Sequence, residues 1–401
     1  MIDNKTVVLG VTGSIAAYKT ASLASALKKL NCDVHVIMTK NAVNFINPIT
    51  FETLTGNKCL IDTFDRNFEF NVEHVALAKA ADIFVVAPAS ANVIGKIAGG
   101  IADDMLTTTI LGCKCPVLVA PAMNTNMYDN PILQDNLDKL RRFGYRIIEP
   151  AEGYLACGDT GKGKMPEPEE LLEYIKLEIA EKKDLAGKRI VITAGPTIEK
   201  LDPVRFISNH STGKMGYALA AECARRGADV TLVSGPVAIK APMGVELVKI
   251  NSAREMASAV KERFSCTDIV IKAAAVADYR PVSVSSEKIK KSDSDMSIEL
   301  ERTEDILKYL GEHKAPGQIV CGFSMETENL IDNSRAKLNK KNCDMIVANN
   351  LKVAGAGFGT DTNVVTLITA EGETELEIMS KEMVAHRIMD EIVKMSVQKS
   401  C

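Results

Sequence analysis

The sequence predicts an α/β protein built from two doubly wound parallel sheets, on three observations. An apolar β-branched run, a glycine turn and a helical pattern open the chain at Thr6–Ala16, and the same order starts again at Lys188–Thr197. Strand-like and helical runs alternate after each start, which is the pattern of parallel βαβ units. The 401 residues exceed one ordinary core, and two domains of about 180–210 residues fit.

Taken in order, the first half predicts strands over 6–11, 33–39, 82–88, 116–121 and 145–149, with helices over 15–30, 91–111 and 131–143. Within 91–111, however, Gly95, Lys96, Gly99, Gly100 and Asp103 make a helix-and-turn segment too rich in glycine for a stable packed helix. Region 151–168, with its glycines and prolines, reads as an ordered flap. A charged helix over 168–183 shows a solvated face, and Asp184-Leu185-Ala186-Gly187 links the halves. The domains are therefore expected at 1–183 and 187–401. The second half predicts strands over 189–194, 228–233, 268–274, 318–323 and 343–348. Its helices are expected over 213–226, 252–264, 328–341 and 381–396, with a hairpin over 363–378.

Composition narrows the function. A hydrophobic share of 46%, a charged share of 25% and a net charge of −4 suit a globular protein and give no support for nucleic acid or a membrane surface as partner. No apolar stretch reaches the ~18 residues of a spanning helix and the N-terminus lacks a signal-peptide pattern, so a cytoplasmic protein is expected. The ten cysteines form no CxxC, and Cys113-Lys114-Cys115 lacks the partners of a zinc site. Cys157 stands apart, in the glycine-flanked loop Gly153–Gly161, where a thiol is accessible.

A strand entering a Gly/Ser/Thr turn leaves backbone N–H groups at the sheet's C-terminal edge, where phosphates bind. Gly13 and Ser14 make such a turn, with an ordinary N-cap as the alternative for Ser14; Thr39 ends the second strand in the same way. Pro88-Ala89-Ser90-Ala91-Asn92 ends the third strand with small residues that let a flat ring approach the backbone. Pro121-Ala122-Met123-Asn124 ends the fourth. His74 is expected just before a helix. His74, Asn124 and Cys157 together supply a base or charge stabiliser, a carboxylate-binding amide and a thiol acid, a set suited to proton and hydride chemistry.

On these residues the first half resembles the flavin-dependent phosphopantothenoylcysteine decarboxylases. The match runs through Gly10–Lys19, Pro88–Asn92, Pro121–Asn124 and Ala156-Cys157-Gly158, four segments in order. The resemblance implies a flavodoxin-like sheet, bound FMN held by Gly13, Ser14, Thr39, Ser90 and Asn92, and a redox-assisted decarboxylation. In it the cysteinyl thiol is oxidised to a thioaldehyde, the carboxylate leaves, and the enethiol is reduced while an acid protonates carbon. His74 then matches the catalytic histidine, Asn124 the carboxylate-binding asparagine and Cys157 the proton donor. Val75 and Ala80 depart from the family's usual isoleucine and larger residue near the pocket wall.

In the second half, Phe206–Gly216 runs a polar loop into a helix and forms an anion site without Walker A spacing. Ala273-Ala274-Ala275-Val276-Ala277-Asp278 ends a strand with small residues and one carboxylate. Glu287-Lys288-Ile289-Lys290-Lys291 is basic and, taken alone, reads as a solvated loop; Lys337 and Lys341 share a helix face that can bracket a polyphosphate or be exposed charge. In this order the segments resemble the CTP-dependent phosphopantothenate–cysteine ligases. That implies a Rossmann-like sheet with a hairpin extension, and activation of phosphopantothenate by CTP to an acyl-cytidylate that the cysteine amine attacks. Asn209 matches the residue placed on the acyl-cytidylate. Ala275, Asp278, Lys288, Asp305, Ile306, Phe323, Lys337 and Lys341 match nucleotide positions, with Lys288 also catalytic. Mg²⁺ would offset phosphate charge; its ligands are not indicated. Glu304 stands where the family usually has proline.

The expected whole is a bifunctional coenzyme A biosynthesis enzyme whose second half makes the substrate of the first. Its partners are small molecules: 4'-phosphopantothenate, L-cysteine and CTP. The resemblance implies trimeric decarboxylase and dimeric ligase contacts, hence a homo-oligomeric dodecamer. Two other classes remain open. An NAD(P)-dependent oxidoreductase with two Rossmann-like units lacks the GxGxxG followed by an acidic residue about 20 positions on. A flavoprotein binding module would need no trio like His74, Asn124 and Cys157.

Overall fold

A computed structural model describes residues 2–64, 73–154, 158, 160–179, 182–290, 296–326, 329–350, 357 and 359–400. The chain divides into two compact units, Met1–Glu181 and Lys182–Cys401. Among the described residues no helix is long and apolar enough to cross a membrane.

The first unit is a five-stranded parallel sheet in the order Asp33–Met38, Thr6–Val11, Ile83–Ala89, Val117–Pro121, Arg146–Ile147. Ile83–Ala89 is buried at every position, because helices cover both faces of this sheet. Two apolar clusters form, one around Leu9, Val36, Val85 and Ala120, the other around Val8, Phe84, Val86 and Val119. Their alternation along each strand is the two-faced pleat. The order reverses between Thr6–Val11 and Ile83–Ala89, and open α/β sheets bind ligands at such a switch point.

The second unit holds an eight-stranded sheet. Val245–Lys249, Asp229–Ser234, Arg189–Ala194, Ile269–Lys272, Ile319–Glu326 and Met345–Asn350 run parallel; Val365–Thr369 and Glu373–Glu375 continue it antiparallel. Its switch point lies between Arg189–Ala194 and Ile269–Lys272. Close helix–sheet packing there requires glycine: a Cβ on Gly216 would stand 2.6 Å from the Ala194 Cβ.

Several elements differ from expectation for local reasons. The helix expected over 91–111 is two helices, Ala91–Gly99 and Met105–Gly112. Gly100 leaves the first in a left-handed conformation, φ 70°, and Asp104 starts the second with a capping box to Thr107. The flap is an antiparallel hairpin, Ala151–Tyr154 against Thr160–Lys164. His74 is the second residue of helix Glu73–Ala80 rather than a residue before it. The edge strand Val245–Lys249 and the helix Ile306–His313 were not expected, since Lys and Glu interrupt the first and the second has only eight residues.

Candidate functional sites

In the first unit the switch point is knitted by Thr12. Its buried hydroxyl donates to the Pro88 carbonyl at 2.7 Å and accepts the Ser90 N–H at 2.9 Å. This joins the ends of the two central strands and holds the Gly13–Ser14 turn beside the Pro88–Ser90 turn. A Cβ on Gly13 would lie 2.8 Å from the Asn41 Cβ, so only glycine lets the turn approach its neighbour this closely. Helix Ala17–Lys29 starts from Ala16 with no side-chain cap, and Ser90 caps Ala91–Gly99 with its backbone alone. Ser14 is thus not the N-cap its position suggested. The Thr39 hydroxyl accepts the Ala42 N–H at 3.3 Å, and Asn92 is exposed on the first turn of its helix.

Asn124 caps the short helix Thr125–Tyr128 by accepting the Asn126 N–H at 2.8 Å. The hairpin rests on this turn. Met123 N–H donates to the Gly163 carbonyl at 3.0 Å, and a Cβ on Gly163, φ 137°, would come within 2.3 Å of the Met123 oxygen. Lys19, almost fully buried, donates to the Met165 carbonyl at 3.2 Å and to Glu167 at 2.8 Å, fixing the hairpin's return to the first helix. That hydrogen bond, ahead of burial, holds the Glu167 carboxyl below its usual range. Cys157 falls between the hairpin strands and lies outside the described residues. His74 is half-buried at the start of its helix. The turn residues Gly13, Ser14, Ser90 and Asn92 gather at the switch point, and Asn124 joins the hairpin base.

In the second unit a cavity of about 760 Å³ opens along the C-terminal ends of the strands. Asn209, Ala275, Asp278, Phe323 and Lys337 line it. Asn209 fastens the polar loop to the sheet: Nδ2 donates to the Ala275 carbonyl at 2.7 Å and Oδ1 accepts the Ser211 N–H at 3.0 Å. Lys337 donates to the Phe323 carbonyl at 2.9 Å. Asp305 caps helix Ile306–His313 through the Lys308 N–H at 2.9 Å and accepts from Lys341. Burial pushes the Asp305 carboxyl up, yet the Lys341 and Lys308 hydrogen bonds bring it below its usual range.

Other expected positions fall outside this cavity. The Ile306 side chain is core, so only its backbone is available to a ligand. Lys288 is exposed; its segment is tied down by Asp202, which accepts the Val204 and Arg205 N–H groups at 2.7 Å and the Ile289 N–H at 3.1 Å. The cavity also brings in Lys214, the lysine of the anion loop expected over Phe206–Gly216, and Lys272, Lys381, Asn349 and Asn363, which sequence reasoning missed. Lys272 gave a signal, a lone lysine ending an apolar strand. Lys381 hid as the first residue of a helix; its ammonium donates to Gly357 at 2.9 Å and Thr360 at 2.6 Å. Among the described residues no cluster of three or more His, Cys, Asp and Glu forms a metal site.

Comparison with known proteins agrees with these two units. The Flavoprotein family model matches residues 1–180, and the model of the DNA/pantothenate metabolism flavoprotein C-terminal domain matches 185–395. The coenzyme A biosynthesis bifunctional protein CoaBC of Bacillus subtilis is 49% identical over 402 residues, covering 99% of each chain. This chain belongs to that family. The CoaBC protein of Vibrio cholerae is 45% identical over 97% of this chain and 98% of its own. A crystal structure of a CoaBC C-terminal domain is 46% identical, covering 53% of this chain and 98% of that one, with a TM-score of 0.46. As a CoaBC-family member the chain is a bifunctional enzyme of coenzyme A biosynthesis, a flavoprotein phosphopantothenoylcysteine decarboxylase joined to a phosphopantothenate–cysteine ligase.

Proposed function

We propose that residues 1–183 bind FMN and decarboxylate phosphopantothenoylcysteine, and that residues 187–401 make that substrate from 4'-phosphopantothenate, cysteine and CTP. The observation that carries the reading is the pair of switch-point sites, each built from small residues and backbone N–H groups at the C-terminal edge of its sheet. The cradle fits a flavin phosphate and ring: Gly13 leaves no room for a side chain, Thr12 closes the turn from inside, and the partly exposed Ser90 and Ala91 keep the neighbouring turn small. Gly13, Ser14, Thr39, Ser90 and Asn92 would hold the group.

Bound FMN supplies a two-electron oxidant and, once reduced, the matching reductant. The protein's own residues do the rest. The Asn124 amide orients the departing carboxylate beside the hairpin, His74 offsets developing charge, and the Cys157 thiol delivers the proton to carbon. In the ligase, a carboxylate oxygen of phosphopantothenate attacks the α-phosphorus of CTP and pyrophosphate leaves. The cysteine amine then attacks the acyl-cytidylate carbonyl and cytidylate leaves. Phosphate charge developing in the first step is met by Lys337, Lys341 and Lys288 with Mg²⁺, while Asn209 orients the acyl-cytidylate and Ala275, Asp278, Asp305, Ile306 and Phe323 contact the nucleotide.

We also assign the enzyme to the cytoplasm, where its charged substrates are retained. Exposed Ile15, Tyr18 and Ile49 on the first unit, and Phe206, Tyr279 and Val282 on the second, support contacts between copies. Threefold contacts in one unit and twofold contacts in the other close a dodecamer. The test of the reading is incubation of the purified protein with phosphopantothenate, cysteine, CTP and Mg²⁺. Phosphopantetheine and carbon dioxide should appear, with cytidylate formed in step with the amide. Equal activity with ATP overturns the nucleotide assignment, and a colourless protein that releases no FMN overturns the flavin assignment.

A further inference from the structure

Lys272 ends the strand Ile269–Lys272 at the second unit's switch point and lines the cavity there. It pairs in register with Thr193 on one side and Gly322 on the other. Side chains alternate along a strand, so Lys272 lies on the same face as Val270, which belongs to the apolar cluster that also holds Val320, Ile306 and Leu338. The ammonium therefore rises from an apolar floor into the face of the cavity that also holds Lys337. The charged groups facing it come from each surrounding element: Lys337 and Lys341 from the helix Leu330–Lys340 and its C-cap, Asp305 from the N-cap of Ile306–His313, and Asp278 from the turn after its own strand.

Three of these groups are already committed. Lys341 is paired with Asp305, and Lys337 donates to the Phe323 carbonyl. The Lys272 ammonium has no hydrogen-bond or ion-pair partner among the described residues. A half-buried lysine without a protein partner, beside a second ammonium, is favoured by a ligand that completes it. Burial first, and Lys337 next, push its pKa down to about 8. Three ammonium groups against two carboxylates leave a positive excess, and one carboxylate of those two is engaged by Lys341. Such an excess suits a polyanion better than a single carboxylate.

We propose that Lys272 is a substrate-contacting residue of the ligase whose ammonium binds the phosphate chain of the activating nucleotide. The phosphates would then face Lys337 and Lys341, each already held by a protein partner, together with one lysine, Lys272, that no protein group engages. The inference rests on the nucleotide reading above for the identity of the ligand, but its phosphate chemistry is tested separately.

The test is calorimetric titration of the full-length protein with inorganic pyrophosphate, CTP and cytidine, using wild type, Lys272→Met and Lys272→Arg. Methionine keeps the unbranched shape and most of the length of the side chain and removes its charge, so the variant is expected to fold; thermal melts check this. Pyrophosphate and CTP affinity should fall by a similar factor, roughly 10-fold or more, in Lys272→Met, while cytidine affinity holds. Anion binding favours the charged amine, so wild-type affinity should fall as pH rises through about 8, by about tenfold between pH 7 and 9. Lys272→Arg stays charged across that range and should retain binding with a flatter profile. Unchanged pyrophosphate affinity in Lys272→Met, or the same pH profile in all three proteins, overturns the proposal; so does wild-type protein that binds no pyrophosphate. Lys272-dependent pyrophosphate binding without CTP binding overturns the nucleotide reading and leaves the phosphate site standing.

Discussion

Asn209 spends its amide on the chain itself, donating to Ala275 and accepting from Ser211. Asn209→Asp replaces the donor with a carboxylate facing the Ala275 carbonyl, so the loop loses its hold on the sheet and the acyl-cytidylate faces a like charge. Amide formation should fall by about 100-fold, while carbon dioxide release from supplied phosphopantothenoylcysteine stays intact; loss of both activities contradicts two separate sites. Cys157→Ser removes the proposed acid and leaves the earlier steps. An oxidised enethiol product should accumulate and be visible by mass spectrometry, whereas normal turnover removes the role from Cys157. At this scale the sequence was partly legible. Asn209 and Asp278 stand beside small residues in turns, and Phe323 stands between Gly322 and Ser324 in its strand, so their chemistry shows in one dimension. Lys272, Asn349 and Lys381 reach the cavity from a strand end, a buried strand and a helix start, and only the sheet's register brings them together.

The hairpin of the first unit shows what an element adds. Gly163 sits 3.0 Å by hydrogen bond from Met123, and its left-handed φ of 137° together with the 2.3 Å approach to the Met123 oxygen excludes any side chain. Gly163→Ala should lift the hairpin off the Asn124 turn. Decarboxylation is expected to drop sharply with flavin content retained, since the switch-point turns lie elsewhere; absorbance at the flavin band and a carbon dioxide assay separate the two effects. In the second unit, Arg226 plays a structural part. Its guanidinium, almost fully buried, is held by Asp184 at 2.6 Å and Asp390 at 3.0 Å, joining the segment before the first strand to the helix Lys381–Ser400. Arg226→Leu leaves Asp184 without its cation and Asp390 with only His386 beside it, and should cost about 3 kcal/mol in denaturant unfolding. The Arg226 hydrogen bond holds the Asp184 carboxyl below its usual range. That contribution is complete above the unfolded carboxylate's pKa and is lost as pH falls through the lower folded value, so the variant should lose the part of the wild type's acid sensitivity that Asp184 supplies. Elements such as these were readable where periodicity was long and apolar. They were misread where a left-handed glycine and a fresh cap split one helix pattern into two, or where a flap's few residues paired into strands.

For the whole molecule, the doubled strand–turn–helix start proved the most informative stretch, because each start sits beside the reversal of strand order that makes a crevice. Neither start carries a dinucleotide fingerprint, and what distinguishes the units is the chemistry that follows each turn: His74 and Asn124 in one, the lysine-lined cavity in the other. Two units, each with its own core and its own switch point, have no need of a shared active site. If the intermediate leaves the ligase into solution before decarboxylation, two damaged enzymes should repair one another. Purified Asn209→Asp protein supplies an intact decarboxylase, and purified Cys157→Ser protein supplies an intact ligase. Mixed with phosphopantothenate, cysteine, CTP and Mg²⁺, they should form phosphopantetheine after a lag during which phosphopantothenoylcysteine builds up, and the lag should shorten as the Asn209→Asp protein is raised. Wild-type protein that shows no lag, beside a mixture that forms no phosphopantetheine while each protein retains its own half-reaction, would instead mean that the intermediate passes between units without release.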